Sequence, residues 1–158
     1  MDANSAIRLR RAREDDQPAI RALVHAEHMN PHGLDWPRFH VAERAGQLLG
    51  AVQVRLHGDG AAELGSLVVG PQARGAGLAW RLVEAVLHDA PHPVHVITSP
   101  RLAARFADFA FAPLPLRDAP WSVRRNHLLG TVAGGLVSWL RLRRRRPLVV
   151  LRRAAPGD

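Results

Sequence analysis

The chain has 158 residues, enough for one domain with a substantial core. Hydrophobic residues make up 47% and charged residues 23%, which excludes a disordered chain. Cys and Tyr are absent and every basic side chain counted is Arg, so disulfides, thiolate metal sites, cysteine nucleophiles and lysine chemistry are excluded as well. The formal charge of +8 is lopsided: residues 1–116 carry 12 Arg against 12 acidic residues, whereas residues 117–158 carry 10 Arg against Asp118 and Asp158. The excess therefore characterises the C-terminal quarter alone.

The opening residues, MDANSAIRLRR, contain no apolar signal core and no lipidation motif, which sets a cytoplasmic expectation. Ile7 to Arg10 alternates apolar and charged residues, the pattern of a half-buried strand. Asp15-Asp16-Gln17-Pro18 places acid and proline where a helix begins, and that helix should run to about His28 before Asn30-Pro31-His32-Gly33 breaks it. Leu34 to Pro37 reads as a short irregular turn. Strands follow at Phe39 to Glu43 and Leu48 to Leu56, joined through Ala45-Gly46, and Gly58-Asp59-Gly60 leads into a third at Ala62 to Val69. Apolar positions at helical spacing predict a helix from Arg74 to about His88. A strand at Val94 to Ile97, a brief helix at Pro100 to Phe109 and a strand at Phe111 to Leu116 come next. Trp121 to about Arg143 is a long helical segment interrupted by Gly130, Gly134 and Gly135, and Pro147 to Leu151 closes the chain as a strand. The order predicts an α/β fold with a mixed, partly antiparallel sheet flanked by helices. It forms one domain over residues 1–158, with an extra Arg-rich helical segment at about 121–146 before the last strand.

The segment that carries chemistry runs from Glu63 to Ala79, where a strand ends in a Gly-rich turn that opens directly into an amphipathic helix. Such a turn leaves backbone N–H groups unpaired at the positive end of a helix, a site suited to a diphosphate. Glycine permits close backbone approach. Two glycines in an ordinary turn are the alternative. A phosphate-binding loop that needs Lys is excluded.

With Gln72, Gly75 and Gly77 in the pattern Q/R-x-x-G-x-G/A after a buried strand, the sequence resembles the GNAT superfamily of N-acetyltransferases. The resemblance extends over nearly the whole chain. Arg8-Leu9-Arg10-Arg11-Ala12 with Asp15 or Asp16 is similar to the family's opening strand and first helix. The run Asn30-Pro31-His32-Gly33-Leu34-Asp35-Trp36-Pro37-Arg38-Phe39 resembles a bacterial and plastid branch.

The resemblance implies acetyl-CoA as co-substrate and an amine, on a small molecule or a protein, as acceptor. Leu67, Val68 and Val69 would pair through their backbone with the pantetheine arm. Gln72, Ala73, Arg74, Gly75, Ala76, Gly77, Leu78 and Ala79 would hold the diphosphate. An amide near Val68 would polarise the thioester carbonyl. Glu63 matches a position that is often acidic in the family and is the candidate general base, acting through water, because a lysine-like amine is protonated at neutral pH. The competing reading of Glu63 is a solvated carboxylate at a strand end. Phe106 occupies the position where the family often has a Tyr general acid, and Ala110 that of a Gly, so the acid role is vacant. A non-catalytic acyl-CoA-binding or regulatory module is the alternative function. Asp35, Trp36 and Arg38 fall in the loop that shapes the acceptor pocket, against a packing role for Trp36 and a turn role for Asp35. Thr98 and Ser99 are either water-orienting hydroxyls or helix caps.

His28, His32 and His40 lie on the substrate side in the family's layout, but nine histidines without ligand spacing give no metal site. In the C-terminal part, the uncharged stretch from Leu128 to Leu140 has 13 residues, short of the roughly 20 a spanning helix needs. Gly130 and Gly134 stand four apart and Trp139 precedes an Arg cluster, so segment 128–146 is expected to pack in a homodimer or touch an anionic membrane. An amphipathic cover helix with solvated arginines is the alternative. The basic run lacks interleaved aromatics, so nucleic acid is not an expected partner.

Overall fold

Alternation of apolar and charged residues at the start of the chain produces β1 (Arg8–Arg11), and proline in the first turn opens α1 (Gln17–Ala26). The structure, a computed structural model, describes residues 6–140 and 147–157, without the side chains of 132–140. The remaining elements are β2 (Phe39–Arg44), β3 (Gln47–Leu56), β4 (Ala62–Val69), α2 (Leu78–Asp89), β5 (Val94–Thr98), α3 (Pro100–Phe106), β6 (Phe111–Pro113), α4 (Trp121–Leu140) and β7 (Val149–Arg153). The Arg-rich run 141–146, on which the interface expectation partly rested, lies outside the described residues.

The chain divides into two compact units, residues 1–55 with 64–90 and residues 56–63 with 91–158. In the first, the strands follow the order β1-β2-β3-β4, and the β1–β2 and β2–β3 pairs are antiparallel. Its core gathers Ile20 and Val24 of α1, Phe39 and Val41 of β2, Ala51 of β3 and Val68 of β4. Trp36 packs against the edge of this cluster. Below it, the Arg10 guanidinium bonds both Asp16, at 2.6 Å, and Glu43, joining β1 and β2 to the turn before α1. The neighbouring Arg10 guanidinium holds the Asp16 carboxyl below its ordinary range.

In the second unit the strand order is β5-β7-β6, antiparallel throughout. Ala61, Ala119, Val123 and Val150 form its apolar cluster. The first turn of α4 is tied down by Asp59, which accepts the Ser122 amide at 3.0 Å and the Ser122 hydroxyl at 2.9 Å. These bonds, the amide first, hold the Asp59 carboxyl below its usual range.

The partly antiparallel α/β organisation is as expected, while several boundaries differ. The second helix begins at Leu78 rather than Arg74, because Gly75 and Gly77 take φ of +85° and +71° and cannot continue into it. The first ends at Ala26 rather than His28, which has φ of +53°. The strand predicted over Phe111 to Leu116 stops at Pro113, since Pro113 and Pro115 remove ladder donors. The closing strand is displaced to Val149–Arg153, where it pairs with both β5 and β6.

Candidate functional site

The turn between β4 and α2 is built from its own backbone. Pro71 to Ala73 makes a 3-10 turn in which the Ala73 amide donates to the Gly70 carbonyl at 3.0 Å and the Arg74 amide to the Pro71 carbonyl at 3.4 Å. Farther on, the amides of Trp80 and Arg81 both return to the Gly77 carbonyl, at 3.1 and 3.2 Å. Between these two closures, the amides of Gly75, Ala76, Gly77, Leu78 and Ala79 have no acceptor among the described residues. They stand together at the positive end of α2, whose inner face is anchored by Leu78, Leu82, Val83, Val86 and Leu87. A Cβ built on Gly75 or Gly77 meets nothing within 4 Å, so the space beside these amides is open. The Ala73 and Arg74 amides are spent inside the turn.

The side chains of Gln72 and Arg74 brace this turn. Gln72 folds back over Gly70, where an added Cβ would stand 2.8 Å from Gln72 Oε1. Arg74 donates from Nε to the Val69 carbonyl at 3.1 Å and pairs through Nη2 with Glu27 at 2.6 Å. Leu67 and Val69 are half-buried and Val68 is buried, with Gly50 on β3 so close that a Cβ there would lie 2.8 Å from the Val68 carbonyl. Ser66, in the middle of β4, adopts φ of +52°, a left-handed conformation that non-glycine residues rarely take. Its hydroxyl oxygen accepts from Gln53 Nε2 and Arg55 Nη2, each at 2.9 Å, and Gly65 leaves the room Arg55 needs to reach it.

At the start of the same strand Glu63 is 5% exposed, which removes the solvated-carboxylate reading. Its Oε2 lies 2.9 Å from His57 Nε2 and accepts a hydrogen bond from Asn126 Nδ2 at 2.8 Å. His57 reaches it because the β3–β4 turn closes with the His57 amide bonded to the Ala61 carbonyl, and Asn126 comes from α4, whose start Asp59 secures. His95 on β5 is buried nearby with Nδ1 3.2 Å from the Ala62 carbonyl, and burial pushes its imidazole below the ordinary pKa.

Sequence reasoning missed His57, Asn126 and Ser66. The His57–Glu63 pair was within reach of it, since six residues across a tight turn bring two strand ends together. The other candidate residues separate into different roles. Asp35 and Arg38 pair with each other at 3.3 Å on an exposed turn, while the Trp36 amide donates to Gln17 Oε1 at 2.9 Å and its ring packs on the core. Phe106 is buried, with its ring edge-on to Phe111 at 5.4 Å between centroids. Ser99 sits at the start of α3, yet only its carbonyl serves there and its hydroxyl makes no capping bond, while Thr98 is buried at the end of β5. His28 and His32 are exposed, and His40 is mostly buried 3.3 Å from Asp89. Among the described residues no group of three or more His, Asp or Glu could hold a metal ion, and no helix is long and apolar enough to cross a membrane.

The acetyltransferase (GNAT) family matches this chain over residues 6–108. Among solved structures, N-acetylglutamate synthase from Neisseria gonorrhoeae, complexed with coenzyme A and N-acetyl-glutamate, aligns over 95% of this chain and 35% of its own, with 18% identity and a TM-score of 0.69. The chain thus spans about a third of that protein's length. Rv2747 from Mycobacterium tuberculosis, in complex with CoA and NLQ, aligns over 94% of this chain and 99% of its own, with 21% identity and a TM-score of 0.67. Diaminobutyrate acetyltransferase EctA from Paenibacillus lautus, in complex with L-2,4-diaminobutyric acid and coenzyme A, aligns over 98% and 99%, with 15% identity and a TM-score of 0.62. The fold is therefore that of the N-acyltransferases. No curated protein matches the sequence.

Proposed function

Because the chain belongs to the acetyltransferase (GNAT) family, we propose that it transfers an acetyl group from acetyl-CoA to the amine of a small molecule or protein. The observation that carries this reading is that the five amides from Gly75 to Ala79, at the start of α2, have no acceptor among the described residues and lie beside open space at Gly75 and Gly77. Acetyl-CoA supplies the activated acetyl thioester. In this reading the five amides bind the diphosphate, with Gln72 and Arg74 bracing the turn that presents them. The backbone of Leu67 to Val69 lines the pantetheine arm, and an amide near Val68 polarises the carbonyl to be attacked. Glu63 provides the base function that frees the acceptor nitrogen. The acceptor loop is that of Asp35, Trp36 and Arg38.

A second reading, a non-catalytic acyl-CoA-binding or regulatory module, is favoured by one observation: Phe106 gives its ring to the core, and Tyr is absent from the sequence. One pair of assays separates the two. Calorimetry with acetyl-CoA measures binding, and CoA release measures transfer to a panel of amines. That panel includes L-glutamate, L-glutamine, L-2,4-diaminobutyrate and an N-terminally free peptide. Binding with amine-dependent release supports the enzyme. Binding without release from any amine supports the module, and absence of binding removes both.

The cytoplasm is the proposed setting. For the C-terminal segment we propose a homodimer or peripheral membrane contact through 128–146, supported by the exposure of Trp121, Leu128 and Leu129 on the described part of α4. Gel filtration and flotation with anionic vesicles test it, and a monomer that stays with the soluble fraction contradicts it.

A further inference from the structure

Resting on the base function assigned to Glu63, we propose that this carboxylate acts through His57: the imidazole Nδ1 receives the acceptor's proton, and Glu63 and Asn126 are positioning residues that hold the ring. Glu63 Oε2 is engaged on two sides, by Asn126 Nδ2 at 2.8 Å and by His57 Nε2 at 2.9 Å. An amide NH₂ only donates, so Asn126 identifies this oxygen as an acceptor. The proton in the His57–Glu63 bond accordingly sits on Nε2, and the neutral ring carries its lone pair on Nδ1. Among the described residues Nδ1 has no hydrogen-bond partner. The His57 side chain is 13% exposed against 6% for Glu63, so the ring is the more accessible member of the pair. Carboxylate, imidazole and open nitrogen form the arrangement by which a buried acid fixes a histidine's tautomer and supports the charge the ring acquires.

The step balances without a further reactant. An N–H bond of the acceptor ammonium breaks, its proton passes to His57 Nδ1, and the electron pair remains on nitrogen to attack the acetyl carbon. CoA leaves as thiolate with the C–S bonding pair, the imidazolium returns its proton to water, and the second N–H proton of the newly acylated nitrogen passes to the thiolate, giving a neutral amide and CoA thiol. Among the described residues, Asp59 in the β3–β4 turn, Arg152 on β7 and Glu63 itself act electrostatically on His95 of β5. His95 does not compete for the proton, because burial holds it neutral and its Nδ1 faces the Ala62 carbonyl.

The test measures amine-dependent CoA release by the full chain, using the panel amine that reacts fastest, for wild type, Glu63→Gln, His57→Ala and His57→Asn. Losses of about 10²-fold or more are expected in kcat for all three variants. Added imidazole should restore at least tenfold of the His57→Ala loss and none of the Glu63→Gln loss. His57→Asn keeps a donor for Glu63 without a base, so it should be as slow as His57→Ala. Full activity in Glu63→Gln would remove the base assignment itself. An inactive Glu63→Gln beside an active His57→Asn would keep that assignment and overturn the role of His57, as would a His57→Ala loss that imidazole leaves untouched. Ring ¹⁵N spectra of the wild-type protein test it without any amine: a His57 proton found on Nδ1 in the neutral form overturns it.

Discussion

Gly77→Ala separates the backbone strain of the cofactor turn from its function. An added Cβ meets nothing within 4 Å, so no steric clash is introduced, and φ of +71° remains as the cost. Holding an L-residue in that region costs roughly 1–2 kcal/mol. Alanine also narrows the unfolded ensemble, which returns about 0.4–1 kcal/mol. The net loss is about 1 kcal/mol, a fall in Tm of about 2–4 °C for a chain of this size. Gly60→Ala is the matched control, since Gly60 has φ of +82° and is equally open. Calorimetry with acetyl-CoA then distinguishes the two variants. At Gly77 the methyl group enters the space assigned to the diphosphate and turns the neighbouring amides, and each charge-assisted hydrogen bond lost is worth about 1.5–3 kcal/mol. Affinity should fall roughly 10- to 100-fold in Gly77→Ala and stay unchanged in Gly60→Ala. Equal, undiminished affinity in both variants would refute the reasoning.

Three further outcomes follow from packing and charge. Gly50→Ala places a Cβ 2.8 Å from the Val68 carbonyl and 3.0 Å from Leu82, and overpacking of this kind should cost about 1–3 kcal/mol in urea unfolding; an unchanged midpoint would contradict the close approach of β3 and β4. Arg10→Met strands the carboxylates of Asp16 and Glu43, which are 10% and 18% exposed, and should lower stability by about 2–3 kcal/mol by the same measurement. Burial holds both His40 and His95 below the ordinary histidine pKa, so the unfolded chain takes up protons that the folded one refuses. Their stabilising effect is complete above about pH 6.5 and declines as pH falls toward the folded pKa. Tm should drop between about pH 7 and pH 5, and His95→Gln should flatten the slope. A pH-independent Tm over that range would exclude the buried neutral state.

Much of the fold was legible because local rules and tertiary structure agree there. The strand read over Ala62 to Val69 and the apolar spacing from Leu78 onward both survive into the structure, and Gly75 and Gly77 mark the turn between them. The helix start was misplaced by four residues because periodicity cannot see a positive φ, only the side chains on either side of it. Ser66 illustrates a different limit: its backbone is left-handed and its hydroxyl accepts from Gln53 and Arg55, which approach from another strand. Glu63 was singled out as the start of the strand leading to the turn and by its resemblance to a family position, and its burial needed the fold. Its partner Asn126 was not singled out, being 63 residues distant on a helix whose start is pinned by the Asp59 side chain. Phe106 was noticed as a substitution, whereas its packing against Phe111 needed the fold.

Backbone amide NMR during a titration with CoA tests the central assignment most directly. The account predicts that the Gly75, Ala76, Gly77, Leu78 and Ala79 amide protons move downfield together as they acquire diphosphate oxygens as acceptors, and that desulfated or acetyl forms of CoA reproduce the movement. Saturable binding that leaves those five resonances in place would contradict it.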